Sequence, residues 1–409
     1  MQSKVVKPNN LVVVFLVALF SPIIGVKVGA TIKAWMLLAP VIILISPYKW
    51  RLNKPLSMFL FGFACTAILS LLLNLHTTAS SSLFFLMGIF LLFLLLLSIS
   101  SIKTVDFETS FNRFCVVYIV ITTIYYAIGI NHFNESFTEN NITYYGIFVQ
   151  HGMPRLSGLV GDPNLCAFYF SVLLIISLSL RNHFISTFCV LIIILTGSRT
   201  AFAFLALLAV IYLVFRPRKL LLTIPLVLVL VSFISTYIFF SSDTIASVES
   251  ILRIGNSESI SQAGGRMHIW KEVLAHIAEQ PLQISGFGSS RAFTESVIGT
   301  PTYFHNTFLE LTFELGILVT TAFILVVLFI ISCFKSNNEL KIMYIASLMC
   351  FGMSLSLTLN EVLYFSLFAL YLGHFSKSSN LRSWSLKNDQ ILVYRQKILA
   401  LNSISYNKK

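Results

Sequence analysis

The chain has 409 residues, of which 56% are hydrophobic and only 11% are charged. A soluble domain usually carries about 25% charged residues. This composition therefore excludes an ordinary cytosolic enzyme, a disordered chain and a secreted disulfide scaffold. The net charge is +12, but Lys and Arg are spread between apolar runs, which indicates membrane topology rather than nucleic-acid binding. The sequence predicts a polytopic membrane protein.

Twelve apolar stretches predict membrane-spanning helices, since one span needs about 20 mainly apolar residues. They lie at 10–26, 30–47, 55–74, 82–101, 114–130, 164–180, 183–197, 199–215, 219–240, 306–334, 339–357 and 360–375. The seventh is short and the second contains Lys33, so these two are the weakest. We expect an all-α fold with about 12 transmembrane helices.

The basic residues favour one orientation of these helices. With the N-terminus in the cytoplasm, most of the 28 Lys and Arg residues fall on the inner side, as the positive-inside rule requires. An even number of spans then places the C-terminus inside as well. We expect a multi-pass membrane domain over residues 1–375 and a basic cytoplasmic tail over residues 376–409.

Two predicted outer segments, 131–163 and 241–305, are too long to be simple turns, and long loops are usually functional. The outer face carries four arginines in conspicuous contexts. Guanidinium stays charged and forms paired hydrogen bonds with phosphate, so the set suits an anionic, lipid-linked substrate. For any single arginine, a headgroup contact or a loop salt bridge is an equally good explanation. The four are Arg155, Arg199, Arg266 and Arg291.

Residues 266–279 within the second outer loop predict an amphipathic helix. Its apolar residues recur at helical spacing on one face: Met267, Trp270, Leu274 and Ile277. Such a helix can lie in the membrane interface, with Arg266 at its N-terminus, where free N–H groups favour an anion. A helix packed on the bundle, with Arg266 in solvent, is the alternative.

The start of the tenth span is rich in ionisable residues, which are functional candidates inside a membrane. Asn306, Glu310 and Glu314 form one stripe at helical spacing. His305 lies at the outer interface, where a neutral imidazole can take a proton from a hydroxyl nucleophile. Alternatively, Asn306 caps the helix and His305 is only an interfacial residue.

Two further polar positions have structural explanations. Asp162 precedes Pro163 and is typical of a helix N-cap. Glu361, before the last span, is either an orienting group or an ordinary interfacial carboxylate. The outer loops contain no H-E-x-x-H, G-x-S-x-G or D-x-D motif, so metal-assisted and serine-hydrolase chemistry have little support.

The order of these motifs resembles that of the bacterial O-antigen ligase and O-antigen polymerase superfamily. The resemblance covers residues 140–320 by motif and the whole chain by architecture. The matching pieces are Arg155-Leu-Ser-Gly158, Asp162-Pro163-Asn164, Gly197-Ser-Arg199-Thr, Gly265-Arg266 with Trp270, Gly286-Phe-Gly288, and His305-Asn306 with Leu309, Glu314 and Gly316.

The resemblance implies an inner-membrane glycosyltransferase with a GT-C-like helical fold and no cofactor or metal. The donor is then a glycan on undecaprenyl diphosphate, displayed on the periplasmic side. His305 becomes the proposed base, Arg266 and Arg199 bind the diphosphate, and Arg155, Arg291 and Glu310 are weaker substrate-binding candidates. The acceptor is a lipid-linked repeat unit in a polymerase, or the sugar core of lipid A in a ligase.

We favour the polymerase slightly, because the Arg-x-x-Gly and Asp-Pro-Asn pieces are more similar to polymerases. Whether a chain-length regulator is a partner stays open. A flippase or transporter for lipid-linked oligosaccharide also explains twelve spans and outer cations. No two-fold repeat or matched pair of broken spans supports it, however. A non-enzymatic scaffold leaves His305, Glu310 and Arg266 without an explanation.

Overall fold

The computed structural model describes residues 8–28, 30–45, 54–73, 80–101, 107–133, 142–150, 153–215, 257–334, 338–357 and 360–370. Within these ranges the chain is mostly helical, as predicted. Before the second long loop lie α1 (Pro8–Leu19), α2 (Ala34–Ile45), α3 (Lys54–Leu73), α4 (Ser80–Ser101), α5 (Phe107–His132), α6 (Pro163–Ser179), α7 (His183–Leu195) and α8 (Arg199–Phe215). After it lie α9 (Ser257–Glu279), α10 (Ser290–Ile298), α11 (Thr307–Cys333), α12 (Asn338–Gly352) and α13 (Glu361–Leu370).

Every predicted span inside the described ranges contains a helix, and the ninth, 219–240, lies outside them. Among the described helices, α5 and α11 are long and apolar enough to cross a membrane by themselves. The other apolar helices described on predicted spans contain apolar stretches of 10–17 residues. The number of twelve spans therefore stays a prediction.

Two small antiparallel sheets correct the all-α prediction. One is a hairpin of β1 (Gly25–Val28) and β2 (Ala30–Lys33). The other joins β3 (Ile142–Tyr144), β4 (Ile147–Gln150) and β5 (Met153–Leu156) in that order. The first hairpin removes Lys33 from the predicted second span, whose helix begins only at Ala34. Short runs of Val, Ile and Thr favour strands over helices. A search for long apolar stretches alone does not detect this preference.

Helix α6 is the centre of the bundle. It is buried all round from Cys166 to Ser177 and packs against α7, α8 and α12, as expected of a helix that is apolar on every face. The ring of Phe20 packs edge-to-face on the ring of Tyr169 in α6, with 5.4 Å between the ring centres. The hydroxyl of Tyr118 donates a hydrogen bond to the Phe20 carbonyl oxygen at 2.6 Å. This packing holds the N-terminal end of α6 in place.

A second, smaller core lies under helix α9. Ile269 and Val273 of α9 pack with Phe304 and Phe313. The predicted apolar face was partly wrong: Trp270 and Ile277 pack beside this core, but Met267 and Leu274 are exposed. Tertiary packing therefore decides which face of α9 is buried, and the helix is packed on α10 and α11.

The start of α9 also differs from the prediction. The helix begins at Ser257, so Gly264 and Gly265 lie inside it and Arg266 lies in its interior. A glycine in a helix costs about 1 kcal/mol relative to alanine, a cost that packing against α11 can offset. A free helix N-terminus therefore plays no part in the environment of Arg266.

Helix α11 is broken at Gly316, whose φ of 81° and ψ of 160° are not helical. The freed carbonyls are taken up by the loop before α10, since Ser285 N–H donates to Phe313 O at 3.2 Å and Gly286 N–H donates to Glu314 O at 3.1 Å. A Cβ at position 316 would lie 3.3 Å from the carbonyl oxygen of Gln283. The break fixes the short first half of α11, which follows directly on His305.

Candidate functional site

The first residues of α6, α8, α11 and α13 meet at one end of the bundle, beside α9 and the β1–β2 hairpin. Two adjacent cavities lie there, one of about 200 Å³ and one of about 320 Å³. Their shared wall is formed by Asp162, Asn164, Arg266 and Ser354. The chain thus brings polar groups from distant segments to one place.

The first cavity is rich in positive charge. Arg155, Arg199 and Arg266 line it, and Asp162 is the acidic residue among its lining residues. Arg199 is the first residue of α8 and follows Gly197, whose φ of +57° allows the tight turn between α7 and α8. Three of the four arginines selected from the sequence therefore share one cavity.

Arg155 is fixed by neutral partners. Its Nε donates to the carbonyl oxygen of Thr196 at 2.9 Å, and Nη1 donates to Oε1 of Gln150 at 3.0 Å. A longer contact of 3.5 Å joins Nη2 to Oδ1 of Asn164. These three acceptors are uncharged side-chain and backbone oxygens, and together they orient the guanidinium.

Arg199 and Arg266 form no hydrogen bond or ion pair with the residues that the structure describes. Partial desolvation, and then the positive charge of Arg199, lowers the pKa of Arg266, while Asp162 acts in the opposite direction. Two cations that face one cavity with so little compensation repel each other. An anionic ligand would remove this repulsion and gain charge-assisted hydrogen bonds.

Asp162 caps α6, as predicted, and also lines the two cavities. Its Oδ1 accepts a hydrogen bond from Leu165 N–H at 2.8 Å, so it is the N-cap of α6. It also lines both cavities. The cap fixes the carboxylate at the edge of the arginine cavity, where it limits the excess of positive charge.

His305 lines the second cavity, and Arg266 lies in the wall between the first cavity and the second. The φ of His305 is +53°, in the left-handed region, which is uncommon for a residue other than glycine. Burial, and then the charge of Arg266, lowers the pKa of His305 from 6.5 to about 4. The imidazole is therefore neutral at pH 7 and able to accept a proton.

A hydrogen bond ties the arginine helix to the histidine loop. Trp270 Nε1–H donates to the carbonyl oxygen of Phe304 at 2.8 Å, one turn after Arg266 and one residue before His305. Asn306 then caps α11, since its Oδ1 accepts from Phe308 N–H at 3.1 Å. Both sides of His305 are thereby held relative to Arg266.

The second cavity contains a buried ion pair that sequence reasoning missed. Lys33 Nζ lies 2.5 Å from Oε1 of Glu361, and their side chains are 17% and 5% exposed. Next to it, Asn360 Nδ2–H donates to the hydroxyl of Tyr169 at 3.3 Å. Lys33 stood out in the sequence as a charge at the edge of an apolar run. That signal could have pointed to function, although not to its partner.

Arg291 and Glu310 line neither cavity but contact residues that do. The guanidinium carbon of Arg291 lies 5.5 Å from the ring centre of Tyr303, which lines the second cavity. Glu310 is fully buried and accepts a hydrogen bond from the hydroxyl of Ser356, another lining residue. The structure thus places these two predicted residues behind the wall.

A family comparison covers the part of the chain that carries most of these site residues. Residues 184–324 match the family model described as O-Antigen ligase. The predicted resemblance to the O-antigen ligase and polymerase superfamily is confirmed. This match includes Arg199, Arg266 and His305. Members of the family are integral membrane proteins and glycosyltransferase-like enzymes. Comparisons with curated proteins and with solved structures find no match.

Proposed function

We propose that this protein is a membrane glycosyltransferase that moves a glycan from undecaprenyl diphosphate to a sugar hydroxyl. The observation that supports it best is the arrangement of the two cavities. Arg155, Arg199 and Arg266 line one, His305 lines the other, and Arg266 separates them. Such a pair of sites suits an anionic leaving group on one side and a hydroxyl nucleophile on the other.

The leaving group is assigned to the arginine cavity. During transfer the bond between the sugar anomeric carbon and the diphosphate oxygen breaks, and the diphosphate departs with the electron pair. Fixed guanidinium groups stabilise the charge that develops on it. Arg155 is oriented in advance by its neutral partners, and Arg199 and Arg266 contribute the charges without described partners. No metal ion or cofactor is required in this scheme.

The nucleophile is assigned to the side of His305. The acceptor hydroxyl forms the new bond to the anomeric carbon and gives its proton to the imidazole. A base with a pKa of about 4 is weak, but the charge of Arg266 is one cause of that low value. Bound diphosphate offsets this charge and so raises the pKa of His305. The base thus becomes stronger once the donor is in place.

The preferred acceptor is a second lipid-linked repeat unit, which makes the protein a polymerase of O-antigen or exopolysaccharide. The pieces Arg155-Leu-Ser-Gly158 and Asp162-Pro163-Asn164 favour it by resemblance. Arg155, Asp162 and Asn164 also line the arginine cavity. Transfer to the core of lipid A, which makes it a ligase, is the second candidate. Both use the same cavities and the same chemistry.

The site is proposed to face the periplasm from the bacterial inner membrane, with both termini in the cytoplasm. The distribution of basic residues supports this orientation. For a polymerase, a protein that sets chain length is an additional proposed partner. A flippase, the alternative function, would also need cations that face an anionic lipid. It would not need the neutral imidazole of His305 beside them.

A glycan gel of a deletion strain separates these functions. The strain is complemented with the native gene, with Arg266→Ala or with Lys271→Ala, an exposed position on the same helix. We expect core lipid carrying a single repeat unit in the deletion and Arg266→Ala strains, and full ladders with Lys271→Ala. Bare core lipid with polymer left on undecaprenyl diphosphate indicates a ligase. Repeat units trapped on the cytoplasmic side indicate a flippase and refute the proposal.

A further inference from the structure

The second cavity differs from the first in its balance of charge. Lys33 and Arg266 face Glu361 and Asp162 there, whereas the first cavity has three arginines and Asp162. Lys33 is already paired with Glu361 at 2.5 Å. An anion therefore gains less in the second cavity and meets two carboxylates. A neutral ligand with many hydroxyl groups fits this balance better.

The lining of the second cavity contains both hydrogen-bond donors and acceptors. A carboxylate accepts, an amide does both, and hydroxyl groups of Ser and Tyr do both. Glu361, Asn360, Ser356 and Tyr303 supply these groups around one space of about 320 Å³. That volume is at the small end of ligand pockets, which span about 300–1,000 Å³. It suits one or two sugar rings rather than a long glycan.

Stability alone does not account for the ion pair in this wall. Lys33 and Glu361 are far apart in the chain, one at the end of the β1–β2 hairpin and the other at the start of α13. The desolvation cost of a buried ion pair can equal its attraction, so well-packed apolar residues often serve stability as well or better. A pair that borders a cavity beside His305 does have a chemical use, because its charged groups can hydrogen-bond to a ligand there.

We propose that the second cavity is the acceptor-sugar subsite and that Glu361, held by Lys33, binds hydroxyl groups of the acceptor. The assignment rests on the proposed glycosyltransferase function and gives that function its acceptor residues. The acceptor ring lies between the ion pair and His305, with its nucleophilic hydroxyl on the His305 side. The diphosphate of the donor lies beyond Arg266 in the first cavity.

The test is binding of separate probes to the full-length protein in detergent. Inorganic pyrophosphate reports on the first cavity. Two carbohydrate probes from the host report on the second: the repeat-unit oligosaccharide and the core oligosaccharide, each released by mild acid. Binding of either sugar supports the subsite, and the tighter one indicates whether the acceptor is a repeat unit or the core. Binding of neither sugar overturns the inference.

Substitutions in the two cavities should weaken the binding of different probes. Losing a charge-assisted hydrogen bond weakens binding about tenfold or more. Glu361→Gln should therefore weaken sugar binding about tenfold and leave pyrophosphate binding unchanged. Arg199→Ala, which changes only the first cavity, should do the reverse. The control Glu295→Gln, an exposed carboxylate on α10 outside both cavities, should change neither.

The double variant Lys33→Gln with Glu361→Gln separates binding from architecture. It removes both charges, so it should recover sugar binding if the ion pair only holds the wall together, and that recovery would overturn the inference. We expect sugar binding to stay weak. If these variants do not fold, Val160→Phe narrows the second cavity alone and should weaken sugar binding without affecting pyrophosphate. Unchanged sugar binding in Val160→Phe would also count against the subsite.

The two proposals can fail separately. If pyrophosphate binding is absent or independent of Arg199, the donor assignment fails, whatever the sugars do. If pyrophosphate binds through Arg199 but sugar binding does not depend on Glu361, the acceptor subsite fails while the donor site stands.

Discussion

Replacing Arg266 by alanine should remove activity without affecting the fold. In the described structure the guanidinium makes no hydrogen bond or ion pair, and it faces the charge of Arg199. Alanine is also the best helix former for the interior of α9. We therefore expect a change in unfolding free energy within about 0.5 kcal/mol, as for other surface positions without special contacts.

The expected loss of activity is large because nothing nearby can replace this group. Arg155 is held by Thr196 and Gln150, and Arg199 is anchored at the start of α8. Removing one fixed donor from a developing oxyanion costs about 100-fold to 1,000-fold in rate. Arg266→Lys keeps the charge but loses the forked geometry, so it should retain clearly more activity than alanine.

The assay is glycan transfer by purified protein with a lipid-diphosphate donor, together with a melting curve for each variant. Lys271→Ala serves as the control on the same helix. Normal transfer by a well-folded Arg266→Ala protein would refute the assignment of the diphosphate site. Loss of both activity and melting transition would show that the residue is structural instead.

Three further predictions concern the surroundings of Arg266. The pKa of His305 should be about 4 in the free protein. With bound pyrophosphate or in Arg266→Gln this pKa should rise part of the way to 6.5, because burial, the larger cause of the low value, remains; NMR of labelled imidazole reads this change. The acid limb of the transfer rate should therefore lie between pH 4 and 6.5, and an unmoved titration would contradict the electrostatic coupling. Trp270→Phe removes the hydrogen bond to the loop of His305 and should slow transfer about fivefold with little change in melting temperature; an unchanged rate would show that this bond does not position the site. Gly316→Ala places a side chain at φ 81°, which costs about 1–3 kcal/mol, so its melting temperature should fall; equal stability would argue against the break in α11.

The sequence singled out three arginines that share one cavity in the structure, but it did not predict how each of them is held. Arg155 lies on β5, Arg199 at the start of α8 and Arg266 on α9, and these three elements meet at the first cavity. The environment of Arg266 did not follow from the sequence. Two glycines before it suggested a helix start, yet α9 already begins at Ser257 and continues through both glycines.

Contacts between distant segments were beyond sequence reasoning. Lys33 and Glu361 are each visible as charges beside apolar runs, but no local pattern pairs them. Placing Lys33 in a span also hid the short β1–β2 hairpin that brings it to the cavity. Likewise, a stripe of Glu310 and Glu314 on one helix face did not reveal that Gly316 breaks that helix directly afterwards.

The central claim is that this protein transfers a glycan from a lipid diphosphate by means of the arginine cavity. Its most direct test is a reaction of the purified full-length protein with the host's undecaprenyl-diphosphate-linked repeat units and its lipid A-core, so that either acceptor is available, in the presence of a metal chelator. Mass spectrometry then follows both the glycan and the released lipid. The account predicts elongated glycan and free undecaprenyl diphosphate in equal amounts with the native protein, and neither with Arg266→Ala. Intact donor after incubation with folded native protein would contradict it, and so would equal transfer by the native and Arg266→Ala proteins.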